Sequence, residues 1–411
     1  MADVPMIFIL AGITAYAVLA GADFGAGIWT LVPGTDREHV RHAMGPVWEA
    51  NHVWLIFVLV VAWTCYPVAY GSIVSTLSVP LLIAAVGIIF RGTAYALRNQ
   101  ISSGVRLVEN LFALSSVLTP FALGTVIGAL ATGRVPVGNA AGNLVTSWLN
   151  PVSVLTGVLA VAFSGYLAAV YLAADARRIS ERHEVPALRI RALLSGAVAG
   201  VLAIAGLLVV RSSAAPLWHG LTSGAGLVMV CVCAVAGVAT MALVWRSVFG
   251  LARASAALAV AAVIGGWAAA QRPYLLPGLT VAQAAAGRAT LIAIIISVGA
   301  GAVVLIPSLF LLYALFLRGR LDVASDPEAA PVRPLAPHDP STSSTSPTSS
   351  ASPALSAPAV SAIAFAAVTL VAGSVLLVFT DPAWTHGLGA VCLIACAIRV
   401  FTLVATPDES G

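Results

Sequence analysis

Long apolar stretches separated by short polar breaks dominate the first three-quarters of the chain. A helix rises about 1.5 Å per residue, so about 20 apolar residues cross the roughly 30 Å of hydrocarbon in a bilayer. Stretches of this kind run over 6–31, 52–72, 75–97, 110–131, 151–174, 191–211, 221–245, 253–270 and 289–317, and two more over 359–380 and 384–405. Residues 319–358 interrupt the pattern. They are rich in Pro, Ser, Thr and Ala, as in Pro340-Ser-Thr-Ser-Ser-Thr-Ser-Pro347, and have little to bury. The pattern predicts an all-α polytopic membrane protein. A nine-helix transmembrane bundle occupies 1–318, a disordered linker follows over 319–358, and an accessory two-helix transmembrane hairpin closes the chain over 359–405.

Composition agrees. Of 411 residues, 60% are hydrophobic and only 9% charged, with a mean hydropathy of +1.00. Those values exclude a water-soluble globular domain. The start, Met1-Ala2-Asp3-Val4-Pro5, has no cationic n-region, and the apolar run after it is too long for a signal-peptide core. It is read as a retained first span.

All 20 basic residues are arginine, which reflects base composition rather than a binding role. They are scattered over loops, so the net charge of +4 is no nucleic-acid signature. Their distribution orients the bundle instead. Loops after odd-numbered spans hold fourteen arginines, among them Arg37, Arg98, Arg177, Arg246 and Arg318, whereas loops after even-numbered spans hold only Arg134, Arg211, Arg272 and Arg288. The positive-inside rule then places the N-terminus outside, and the linker and C-terminus in the cytoplasm of a bacterial cell. Most of the nine tryptophans fall near predicted span ends, as an interfacial belt requires. The five cysteines, Cys65, Cys231, Cys233, Cys392 and Cys396, all lie in apolar runs, where a thiol behaves as a small hydrophobe. Without acidic or His neighbours they predict no metal site.

Against this background a few ionisable residues stand out. Asp23 lies in the first span, Glu49 at the mouth of the second and Arg91 in the third. The predicted orientation maps all three to the cytoplasmic half of the membrane, where charge is costly and therefore points to function. They are candidates for a hydrated proton path, Arg91 keeping the carboxylates ionised. A structural Asp–Arg pair that neutralises two charges explains the same residues equally well. His52, three residues beyond Glu49, either relays protons or hydrogen-bonds a neighbouring helix. The spacing of Gly21 with Gly25 and of Ala22 with Ala26 predicts close helix packing. Haem ligation is not expected of this chain. Of seven histidines only His52, His219 and His386 lie near spans, and of five methionines only Met229 and Met241 are well inside them.

Four blocks resemble subunit II of the cytochrome bd-type quinol oxidases. Gly21-Ala-Asp-Phe-Gly-Ala-Gly27 is similar to the family's Asp-Gly-Phe-Asp-x-Gly-x-Gly. Pro46-Val-Trp-Glu-Ala-Asn-His-Val-Trp-Leu-Ile56 is similar to its Trp-Asp/Glu-x-Asn-x-Val-Trp-Leu block. Phe90-Arg91 with Arg98 resembles its third-span arginines, and Arg272-Pro-Tyr-Leu-Leu-Pro-Gly278 with Pro307-Ser-Leu-Phe-Leu-Leu-Tyr313 its last loop and ninth span. Two positions depart: Ala20 stands where the family often has its first Asp, and Glu49 replaces the commoner Asp.

The resemblance covers about residues 1–318 and implies a haem-free, nine-span subunit. Its partner, subunit I, is expected to hold two b-type haems and a d-type or substitute b-type haem. The complex would oxidise membrane quinol and reduce dioxygen to water, taking protons from the cytoplasm. Asp23 and Glu49 match the family's proton-path positions, and Arg91 matches its arginine in the third span. Two other classes compete: a secondary transporter, whose inverted repeats and midplane polar clusters are not seen here, and a structural membrane scaffold.

Overall fold

The computed structural model of the chain describes residues 1–32, 40, 48–97, 105–178 and 185–317, with the isolated positions 391, 392 and 395. The chain divides into two units, Met1–Ala324 and Ser325–Gly411. The linker and the 359–405 hairpin expected from the sequence lie outside the described residues, those three positions apart.

The first unit is a helical bundle built around its first helix. Helix α1 covers Asp3–Trp29, about 40 Å at helical rise. It is followed by α2 (Trp48–Cys65), α3 (Pro67–Thr76), α4 (Ser78–Leu97), α5 (Val105–Ala131) and α6 (Pro151–Arg178). Then come α7 (Val185–Ser213), the short α8 (Ala215–Leu221), α9 (Gly224–Trp245) and α10 (Phe249–Gln271). A two-stranded hairpin, β1 (Tyr274–Leu276) and β2 (Leu279–Thr280), leads through α11 (Val281–Ala284) into α12 (Arg288–Leu317). Among the described residues seven helices are long and apolar enough to cross a membrane, and the bent pair α3–α4 makes an eighth candidate. The chain is thus a multi-pass membrane protein. Large aliphatic side chains cover its outside, such as Val201 and Ile204 on α7, Val235 and Val238 on α9 and Val303 and Ile306 on α12. Such a surface along whole helices suits a hydrocarbon solvent, not water.

One expectation needs correction. The second apolar stretch, 52–72, is not one helix. It breaks at Tyr66, whose backbone (φ −136°, ψ 57°) has left the helical region, and Pro67 starts α3. Proline disfavours the α conformation in the residue before it. The break is held in place because the Tyr66 hydroxyl donates to the Ala2 carbonyl at 2.5 Å and the Cys65 carbonyl accepts from Ala286 N–H at 2.8 Å. Helix α3 then bends by 82° into α4. The architecture is all-helical as expected, apart from the short hairpin, which turns at Pro277-Gly278 with Gly278 at φ +75°, a conformation glycine adopts without strain. The exposed Arg272–Asp3 ion pair places this hairpin at the N-terminal end of α1.

Helix α1 touches α2, α5, α6, α10 and α12. One core cluster joins Val18, Ala22 and Ala26 of α1 to Tyr166–Val170 of α6, Leu188 of α7, Val244 of α9 and Ala252 and Ala256 of α10. Alanine dominates because lipid supplies no hydrophobic drive between helices, so packing rests on close approach. Gly25 shows the limit: a Cβ there would overlap the Ser164 carbonyl of α6 and lie 2.8 Å from the Ala168 Cβ. At the far end of α1, Trp29 Nε1 donates to the Gly165 carbonyl at 2.8 Å and locks the same two helices. Gly25→Ala is expected to destabilise the bundle by about 1–3 kcal/mol through overpacking. Gly200→Ala on α7, which meets nothing within 4 Å, serves as a neutral control. Thermal unfolding of the two purified variants checks the difference.

Candidate functional site

The most strongly charged contact in the described interior lies six residues before the end of α1 and six before the end of α4. Asp23 and Arg91 are both fully buried. Arg91 Nε donates to Asp23 Oδ2 at 2.9 Å and Nη2 to Oδ1 at 2.7 Å, a two-pronged pairing. Nη2 also donates to the Asp23 backbone carbonyl at 2.7 Å, and Nη1 to Ser116 Oγ on α5 at 2.8 Å. Ser116 Oγ in turn donates to the Phe112 carbonyl at 2.7 Å. The flat guanidinium lies between two rings, 4.3 Å from the Phe112 centroid and 4.9 Å from that of Phe24.

Each part of this arrangement has a physical reason. A charge in low dielectric costs several kcal/mol unless it is paired and hydrogen-bonded, and here both conditions hold. Arginine suits the site better than lysine because its planar fork matches a carboxylate edge to edge and stacks on aromatic faces. Gly27, one turn beyond Asp23, makes the room. A Cβ there would overlap Ser116 Oγ and come 3.1 Å from Arg91 Nη1. So one glycine of the Gly25-Ala26-Gly27 run admits α6, and the other admits the guanidinium and its serine.

The other predicted residues lie nearby on α2. Asn51 is buried, and its Nδ2 donates to the Leu19 carbonyl at 3.4 Å. The His52 ring lies edge-on to Tyr16, 6.1 Å between centroids, and 6.3 Å from Phe24, so it shares that aromatic neighbour with Arg91. Glu49 occupies the first turn of α2; its side chain lies outside the described residues. Thus Asp23 and Arg91 meet directly, and His52 reaches them through Phe24. The sequence reading missed Ser116 and Phe112. The only hint was a Ser115-Ser116 pair inside an apolar run. Among the described residues no three His, Cys, Asp or Glu side chains gather as metal ligands would.

This geometry belongs to a wider resemblance. Residues 1–316 match the family described as cytochrome bd terminal oxidase subunit II. The chain belongs to that family. The cytochrome bd ubiquinol oxidase subunit 2 of Bacillus subtilis is 27% identical over 164 residues, 38% of this chain and 48% of that protein. The cytochrome bd-I ubiquinol oxidase subunit 2 of Escherichia coli K12 is 27% identical over 182 residues, 41% of this chain and 46% of that protein. The chain therefore spans about half the length of the curated relatives it matches. The solved bd oxidase from Geobacillus thermodenitrificans is similar over 77% of this chain and 98% of its own matched chain, with 25% identity and a TM-score of 0.61.

Removing Arg91 alone strands the Asp23 carboxylate. Arg91→Met is expected to cost about 3–5 kcal/mol. A double variant, Asp23→Leu with Arg91→Met, removes both charges and should recover much of that loss. Thermal unfolding of the single and double variants in detergent measures the difference.

Proposed function

We propose that this chain is the haem-free subunit II of a cytochrome bd-type quinol oxidase. In this reading it pairs with a haem-bearing subunit I, and the complex couples quinol oxidation to reduction of dioxygen to water. The family match over residues 1–316 carries the proposal and favours it over a secondary transporter or a scaffold. The two b-type haems and the d-type or substitute b-type haem belong to subunit I.

Within the complex, Asp23, Glu49, His52 and Arg91 line or support a path that brings protons from the cytoplasm. The N-terminus lies outside and the C-terminus inside, as the arginine distribution requires. Glu49 begins α2 at the cytoplasmic face, where its carboxylate gathers protons. Arg91 holds the Asp23 carboxylate in place by opposite charge and two hydrogen bonds, and its backbone carbonyl by a third. A nine-span bundle over 1–318 does this work, and the 359–405 hairpin, reached through the 319–358 linker, is accessory.

Glu49→Gln and Asp23→Asn are each expected to slow oxygen consumption by about a hundredfold with haem absorbance of the purified complex unchanged, Asp23→Asn also lowering its unfolding temperature because it strands Arg91. Loss of assembly in Asp23→Asn would reduce the Asp23–Arg91 pair to a structural role, and normal turnover in both variants would remove the path. A purified assembly without haem absorbance in several detergents would end the oxidase reading. Truncation after Arg320 is expected to retain oxygen consumption; its loss would give the C-terminal segments a direct part.

A further inference from the structure

Three buried polar atoms around α1 have no hydrogen-bond partner among the described residues: Tyr16 Oη, Asn51 Oδ1 and Thr119 Oγ1. Their residues are 8%, 1% and 0% exposed. Leaving such an atom dry costs about 1–3 kcal/mol, and ordered internal water occupies buried positions of this kind.

These atoms continue inward from the ion pair. Tyr16 and Asp23 are seven residues apart, about two turns along one face of α1. Tyr16 is also the middle residue of that 27-residue helix, so it sits at the centre of the span. Asn51 approaches from α2, its Nδ2 engaged by the Leu19 carbonyl and its Oδ1 left over. Thr119 approaches from α5, one turn inward from Ser116, with its hydroxyl against Gly87, one turn before Arg91 on α4. Pro120 follows it without an N–H, so the Ser116 carbonyl lacks its usual helical donor as well. The faces that carry these groups meet: Tyr16, Ala20 and Phe24 pack with Leu55 of α2, Ile88 of α4 and Leu123 of α5. Ala20, midway between Tyr16 and Asp23, adds no polar group, so the hydroxyls and the amide are what a water molecule would meet there.

We propose that Tyr16, Asn51 and Thr119 hold a file of internal water that carries protons from the Asp23–Arg91 pair to the centre of the membrane, with Tyr16 Oη at its inner end. The proposal rests on the reading of Asp23 and Glu49 as a proton path. A tyrosine or threonine hydroxyl donates one hydrogen bond while accepting another, so a proton taken up on one side is matched by one released on the other. Asn51 Oδ1 fixes the orientation of the water between them as a pure acceptor.

Tyr16→Phe removes one oxygen and keeps the ring. In the assembled two-subunit complex it is expected to slow turnover roughly tenfold and to enlarge the slowing in heavy water, with haem absorbance unchanged. A density map sharp enough to show ordered water should place water within hydrogen-bond distance of Tyr16 Oη and Asn51 Oδ1. A dry site in that map overturns the proposal. So does full turnover of Tyr16→Phe where Glu49→Gln is slow, because protons then enter at Glu49 without passing Tyr16. Full turnover of Glu49→Gln too would mean that the path itself has failed, and its extension falls with it.

Discussion

A buried arginine and a buried aspartate, joined at two points, set the terms for the rest of the bundle. Neither charge survives in a lipid-embedded interior alone, so α1 and α4 must present them at the same depth, in register and facing each other. Ser116, the Asp23 carbonyl and the rings of Phe24 and Phe112 complete the coordination of the guanidinium. Five groups from three helices are thereby fixed relative to one another. A rotation of α1 or α4 by a single residue would leave a charge without its partner.

That constraint explains the composition of α1. Its C-terminal part is almost entirely small, Ala20-Gly21-Ala22 and Gly25-Ala26-Gly27, and every residue from Ala20 to Gly27 is buried. A central helix surrounded by α2, α5, α6 and α10 has no lipid-facing side at this depth, and only small residues allow neighbours so near. The two glycines divide the work, Gly25 at the α6 backbone and Gly27 under Ser116 and Arg91. Packing and electrostatics meet in one stretch of eight residues. Its few large side chains, Asp23 and Phe24, are the ones that touch Arg91.

The proposed path follows from the same arrangement. A salt bridge in a membrane is compatible with a purely structural role, and its geometry alone does not move a proton. What distinguishes this one is its company: a carboxylate-bearing helix start at Glu49, an imidazole held edge-on to Tyr16, and polar atoms left over further in.

Much of this was legible beforehand. Most of the spans among the described residues were, because crossing hydrocarbon demands some twenty apolar residues in a row whatever the neighbours do, and Asp23 and Arg91 stood out because charge inside such runs is expensive. The broken second span was half legible. Pro67 announced a disfavoured helix at Tyr66, yet Pro120 and Pro307 sit inside continuous helices, so proline by itself does not decide. The anchoring of Tyr66 to Ala2 and of Cys65 to Ala286 settles it, and both are contacts between residues far apart in the chain. For the same reason Ser116, Phe112 and the unpartnered Tyr16 hydroxyl carried no mark in the sequence. Local chemistry determines which segments enter the membrane and which residues are too costly to be there by accident. Which of them meet depends on helix rotation and on clearances of an ångström or less at Gly25 and Gly27, and only the packed bundle sets those.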